Sequence, residues 1–246
     1  MTSSKNLLPS NKVQWISRNK LCDFLVQNDF GESILDIKIV DASEINQNNK
    51  IKSLTEINSK IIILVLDSFS IFIALPFPFS KKVKISSVLD IEKILKRDIL
   101  IGLIFFELGS YVLGSIRFNS VDFSKKGSRY VKGRHKAGGQ SQRRFERNRE
   151  KWIEELYKKL FVDIKDHLSP QKEKLDFLVL CGDTHIINDL LSKQKIEKLF
   201  GRRFLIRKSN LKNYNSKTLI KASITMWSSK IYIDDKNAIV KEISEG

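Results

Sequence analysis

Two short runs of nearly unbroken apolar residues, 61–66 and 71–75, stand on either side of Asp67-Ser68. β-Branched runs of this length around a turn pair predict buried strands. Residues 61–79 together approach the ~20 apolar residues that a membrane-spanning helix requires. Asp67, Ser68, Pro76 and Pro78 interrupt the stretch, however, and two strands account for it better. A helix is predicted around 87–96, followed by β-like runs at 99–106, 111–118 and 121–126. Leu108-Gly109-Ser110 and Asn119-Ser120 separate these runs at hairpin distances, so the reading is an antiparallel meander.

Beyond residue 140 the period changes. Trp152, Ile153, Leu156, Tyr157, Leu160, Phe161 and Ile164 recur at helical spacing, and Ser141 is the expected N-cap. Between Gln142 and Lys151 only Phe145 is apolar. That part of the helix has nothing to bury and is predicted to project. A strand at 175–181, one helix over 184–200 capped by Asp183, a strand at 204–207, a helix at 216–228 and a strand at 231–234 complete the pattern. Alternating strands and helices imply an α/β fold. The predicted class is α/β, with a mixed sheet containing an antiparallel meander, flanking helices, and a long basic loop at 127–140 that leads into the projecting helix.

Residues 1–58 read differently. Val13, Trp15, Ile16, Leu21, Phe24 and Leu25 form short apolar clusters among Asn-rich stretches, and the spacing of Leu21, Phe24 and Leu25 predicts one short helix packed on the main domain. No chemistry is evident there. The expected organisation is an N-terminal extension over 1–58 and a principal domain over 59–246.

Composition is that of a globular chain, with 41% hydrophobic and 29% charged residues. The net charge of +16 changes the picture, because such an excess attracts polyanions. A solvated basic surface would give the same total, so position decides. Residues 125–151 carry eleven Lys or Arg against Glu146 and Glu150, a net of +9, whereas residues 1–60 carry a net of +1. A focused patch points to a nucleic-acid docking surface. Cys22 and Cys181 are far apart, with no Cys or His at metal-ligand spacing. No metal, cofactor or disulfide framework is expected. With no apolar run of a secretory signal at the N-terminus, the expectation is a cytoplasmic monomer without a membrane partner.

The loop from Gly127 to Gln140 holds Gly127, Gly133 and the pair Gly138-Gly139, within an acid-free span from 123 to 145 that contains eight Lys or Arg. Gly-Gly-Gln alone is a weak signal; its basic setting, directly before a polar helix, raises it. The residues GSRYVKGRHKAGGQSQRRFERNRE at 127–150 resemble the catalytic loop and following helix of the class-one release factors of archaea and eukaryotes, particularly the Vms-like branch linked to ribosome quality control. The resemblance extends more loosely over 59–236. It implies an α/β domain bearing its glycine-glycine-glutamine loop at one end, and Gly138, Gly139 and Gln140 as catalytic residues of a peptidyl-tRNA hydrolase. Several Vms-like proteins alter this triplet, whereas this chain retains it.

The target implied is the ester between a nascent peptide and the terminal ribose of tRNA. Gly138 and Gly139 can bring bare backbone close to RNA without a Cβ clash. The Gln140 N–H can stabilise a developing oxyanion, an interaction worth ~3–4 kcal/mol when preorganised in a dry site. Its neutral carboxamide can orient water without a charge to desolvate. No general base is evident, so RNA is expected to supply part of the machinery. Arg129, Lys132, Arg134, Lys136, Arg143, Arg144 and Arg147 are the candidate phosphate contacts. Phe145 could stack on RNA or fold back as an anchor, and both readings stay open.

The implied partners are the large ribosomal subunit, ribosomal RNA and peptidyl-tRNA. The chain looks too short for separate stop-codon-reading and partner-binding domains, so codon-independent rescue of stalled ribosomes or large subunits is expected rather than ordinary termination. The alternative is a noncatalytic ribosome- or RNA-binding factor that retains the loop for docking. A nucleotide-phosphate loop at 133–141 fails, because Gly139 and Gln140 stand where the phosphate-binding lysine and the magnesium-binding hydroxyl belong. His135 reads better as a solvated loop residue. In Cys181-Gly182-Asp183-Thr184-His185, Asp183 reads as a helix cap and His185 as a first-turn residue.

Overall fold

The computed structural model describes residues 11–28, 33–45, 51–56, 58–80, 83–118, 120–132, 140–208 and 216–240. The chain divides into two compact units, one formed by 1–97 with 224–246 and the other by 98–223. The division expected at 58/59 therefore falls inside one unit. The reason is strand pairing, which reaches across that boundary in the first unit.

The first unit contains β1 (Gln14–Ile16), α1 (Arg18–Gln27), β2 (Ile34–Asp41), α2 (Ala42–Ile45), β3 (Lys60–Leu66), β4 (Ser70–Ala74) and α3 (Val88–Lys96). It closes with the last strand of the chain, Ser229–Asp234. The sheet is five-stranded and antiparallel, with the order β1, Ser229–Asp234, β4, β3, β2. Its two edge strands lie in the segment where only a helix was expected. β1 is three residues long with Trp15 61% exposed, and β2 buries Val40 alone. Edge strands half open to solvent leave little hydrophobic contrast to read.

β3 and β4 explain the membrane-like run. Ile62, Leu64, Ile71 and Ile73 pack with Leu21, Phe24 and Leu25 of α1 and Ile91 and Leu95 of α3. Ile61, Ile63, Phe72 and Ala74 pack on the other face with Ile51, Leu54 and Tyr232. A strand covered on both faces needs no polar alternation. Among the described residues no helix is long and apolar enough to cross a membrane.

The second unit begins with the predicted meander, β5 (Leu100–Glu107), β6 (Ser110–Arg117) and β7 (Ser120–Ser128), followed by α4 (Gln140–His167). Then come β8 (Phe177–Gly182), α5 (Thr184–Lys193), α6 (Ile196–Phe200), β9 (Phe204–Lys208) and α7 (Ser216–Met226), whose last three residues are counted with the first unit; that unit's Ser229–Asp234 is thereby β10. The sheet order is β7-β6-β5-β8-β9, antiparallel through the meander and parallel for β5-β8 and β8-β9. The protein is thus α/β with a mixed sheet containing the meander, and it has in addition a second, antiparallel sheet that was not expected.

Ile153, Leu156, Tyr157, Leu160 and Ile164 of α4 pack on Leu100, Ile104 and Phe106 of β5, Tyr111 and Leu113 of β6, and Leu178 and Leu180 of β8. The single helix expected over 184–200 is two. Ile187 and Leu190 are buried from α5, and Ile196 and Phe200 from α6. In one continuous helix at ~3.6 residues per turn, Ile196 would face away from Ile187. Gln194, extended at φ −125° and ψ 116°, breaks the helix and returns the second apolar pair to the core. Asp183 caps α5 as predicted, accepting from the N–H groups of His185 and Ile186.

Candidate functional site

β7 runs to Ser128, so Gly127 lies in a strand rather than in the loop that was expected to begin there. The turn between β5 and β6 helps to end it. Gly109, at φ +105°, accepts the Arg129 N–H at its carbonyl oxygen (2.9 Å). A left-handed backbone of this kind suits glycine.

Residues 129–132 then follow α4 toward its N-terminus as a held stem. The Lys159 ammonium donates to the Ser128 carbonyl at 3.3 Å, and Arg129 pairs with Glu155. The Tyr130 and Trp152 rings lie 6.3 Å apart, and Val131 packs against the core. Arg149 Nε donates to the Lys132 carbonyl at 3.2 Å, while the Lys132 ammonium sits 4.7 Å from the Phe145 ring centroid. The helix positions used are 145, 149, 152, 155 and 159, a spacing that keeps one face of a helix. Phe145 is 46% exposed, and one side of its ring is taken by Lys132. The folded-back reading of Phe145 is the one this contact supports.

The first part of α4 projects as predicted. From Arg143 to Asn148 every residue is exposed, and Gln142 and Arg149 on either side are partly covered. At ~1.5 Å per residue, residues 142–151 extend ~15 Å. Arg143, Arg147 and Lys151 follow one another at steps of four along a row that runs on to Glu155 and Lys159, and with Arg144 beside it they form the exposed basic part of the helix ahead of those two stem contacts. They carry no ion pair among the described residues.

Of the residues singled out in the sequence, Arg134, His135, Lys136, Gly138 and Gly139 lie outside the described residues. Gln140 is the first residue of α4, one position before the expected start. Arg143, Arg144 and Arg147 share the projecting segment, whereas Arg129 and Lys132 belong to the stem. The sequence reading missed Arg149, Glu155 and Lys159 as the residues that hold the stem, and Lys151 in the exposed basic row ahead of them. Their helical spacing was the available signal.

Beneath the meander lies a polar cluster. Tyr111 donates to Asp163 at 2.5 Å, Lys125 pairs with Asp163 at 2.9 Å, and the Lys125 ammonium lies 3.0 Å from His167 Nε2. Burial, and then the Asp163 hydrogen bond, pushes the Tyr111 hydroxyl above the usual phenol range. Lys125 is thereby committed to the body of the unit. Among the described residues no group of His, Cys, Asp or Glu could hold a metal ion.

The end of β7, the held stem at 129–132 and the exposed basic start of α4 are the described parts on either side of residues 133–139. Residues 100–231, more than half of the chain, match the profile of the Actinobacteria/chloroflexi VLRF1 release factor, and the chain belongs to that family. Similar curated proteins are the peptide chain release factor subunit 1 of Methanosphaera stadtmanae, 28% identical over 106 residues (43% of this chain, 26% of that one), and that of Aeropyrum pernix, 33% identical over 84 residues (34% and 22%). The chain thus matches about a quarter of the length of these relatives. Among solved structures, it is similar to the archaeal translation termination factor aRF1, with TM-score 0.39 and 14% identity over 86% of this chain and 73% of that one. It is also similar to Pelota of Archaeoglobus fulgidus, with TM-score 0.31 and 11% identity over 100% and 68%. The family expected from residues 127–150 is the family found.

Proposed function

We propose that this protein is a peptidyl-tRNA hydrolase that releases nascent peptides from stalled ribosomes or large subunits without reading a codon, through Gly138, Gly139 and Gln140. The observation that carries the reading is the release-factor match over 100–231, which spans the triplet together with the projecting helix behind it. The position of Gln140 supports it. The first residues of a helix have N–H groups without intrahelical acceptors, and the helix dipole adds partial positive charge there. A Gln140 N–H at that end is suited to a developing oxyanion. The partners are the large subunit, ribosomal RNA and peptidyl-tRNA, with Arg143, Arg144, Arg147 and the loop residues Arg134 and Lys136 contacting phosphates.

Gln140→Pro is the decisive variant. Proline is tolerated at a helix start, so the substitution removes the N–H while leaving α4 able to form. Purified stalled complexes with no stop codon in the decoding site, carrying labelled peptide, should lose that peptide to the wild type and keep it with Gln140→Pro, although both bind. Undiminished release by the variant would reject the mechanism. Salt-sensitive binding of the wild type with no release would instead identify a noncatalytic ribosome-binding factor.

A further inference from the structure

Arg149 and Glu155 stand well behind the triplet, yet both are spent on the chain that leads into it. A reacting backbone is delivered to one place only if the chain leading to it is ordered, because every free residue loses conformational entropy on ordering. The stem at 129–132 meets that requirement with contacts to every residue. Arg129 has Glu155 at its side chain and Gly109 at its N–H, Tyr130 has Trp152, Val131 has the core, and Lys132 has Arg149 at its carbonyl and Phe145 beneath its ammonium. Glu155 sits within a strongly basic region, where a carboxylate facing RNA would repel it. Its engagement with Arg129 gives it a use inward.

We infer that Arg149 and Glu155 are positioning residues: they clasp the stem at 129–132 to α4 and so fix the point from which the chain runs on to the Gly138-Gly139-Gln140 segment. The inference rests on the hydrolase reading above. Arg129 then acts as the clasp's counter-charge rather than as an RNA contact, and the described basic residues of 129–151 divide into Arg129, Lys132 and Arg149, which belong to the clasp, and Arg143, Arg144, Arg147 and Lys151, left for phosphates.

Exchanging the charges tests this. Arg129→Glu and Glu155→Arg should each slow peptide release at saturating complex by about tenfold or more, since small misplacements of reacting groups carry penalties of that order. The concentration for half-maximal rate should move less than the rate itself. The double variant should recover most of the wild-type rate. An Arg129 that serves only RNA predicts no loss for Glu155→Arg and no recovery in the double variant, and either result overturns the clasp. Should a charge-reversed variant fail to fold, Glu155→Gln replaces it with the same expected direction.

A second arm is independent of activity. The initial rate of tryptic cleavage after Arg129 and Lys132 should rise about fivefold in Arg149→Met, because opening a local segment exposes its bonds. Unchanged cleavage overturns the clasp. If the wild type releases no peptide at all, the hydrolase reading fails, and the cleavage arm still decides whether the stem is held.

Discussion

The ring of Tyr111 occupies the space that a side chain at position 127 would need: a Cβ placed on Gly127 falls 2.1 Å from Tyr111 Cζ and 2.3 Å from its Oη. Gly127 therefore owes its identity to a packed strand. Tyr111 cannot simply swing away, because it is fully buried and its hydroxyl is bonded to Asp163. Gly127→Ala should destabilise the protein by ~2 kcal/mol or more, at the upper part of the range for overpacked cores. Urea unfolding measures it, and a loss below ~0.5 kcal/mol, typical of neutral surface changes, would contradict the packing.

Lys125 supplies a structural counter-charge. Asp163 is 8% exposed at its side chain and Lys125 39%. Removing the cation leaves a largely buried carboxylate with only the Tyr111 hydrogen bond. Lys125→Met should cost about 1–2 kcal/mol, less than a fully buried pair because Lys125 reaches solvent. The same variant should leave the salt dependence of ribosome binding unchanged, and a shallower slope would instead place Lys125 on phosphate.

Stability should fall on the alkaline side. Burial raises the Cys181 thiol from 9.0 to about 12. Burial first, and then the hydrogen bond to Asp163 or Asp189, raises the hydroxyls of Tyr111 and Tyr157 from 10.0. Each group is neutral when protonated and prefers that form in the fold. Their stabilisation is complete below the unfolded values and is lost as pH rises, from about pH 9 for Cys181 and about pH 10 for the tyrosines. Unfolding free energy measured from pH 8 to 11 should decline. Tyr111→Phe with Tyr157→Phe should flatten the portion above pH 10, and an equal decline in that variant would assign the effect elsewhere.

The two groups of basic residues should separate by salt. Replacing Arg143, Arg147 and Lys151 with Gln should lower the slope of log binding constant against log salt by roughly 2 to 3, at about 0.7 to 0.9 per phosphate contact. Arg129→Gln should leave that slope nearly unchanged. Equal reductions by Arg129 and Arg147 variants, measured one at a time, would place both on RNA.

Much of this architecture was legible in the sequence. The hairpin turns, the Asp183 cap, the paired apolar runs and the polar start of α4 are local features, set by side-chain period and turn chemistry within a few residues. The resemblance over 127–150 was legible for the same reason, since it rests on contiguous residues. The edge strands β1 and β2 were less visible, because their pairing with Ser229–Asp234 and with β3 supplies the order that their own pattern lacks.

The sequence by itself determined that a basic, glycine-bearing segment is followed by a helix whose first turns have nothing to bury. Only the tertiary structure decided which charges belong to the protein and which face outward. Arg129 and Arg143 are the same residue type in the same basic run, yet one lies against Glu155 and the other on an open face. Composition cannot separate them, because a guanidinium's role is set by the partner within a few ångströms, and that partner is placed by the packing of α4 on the sheet.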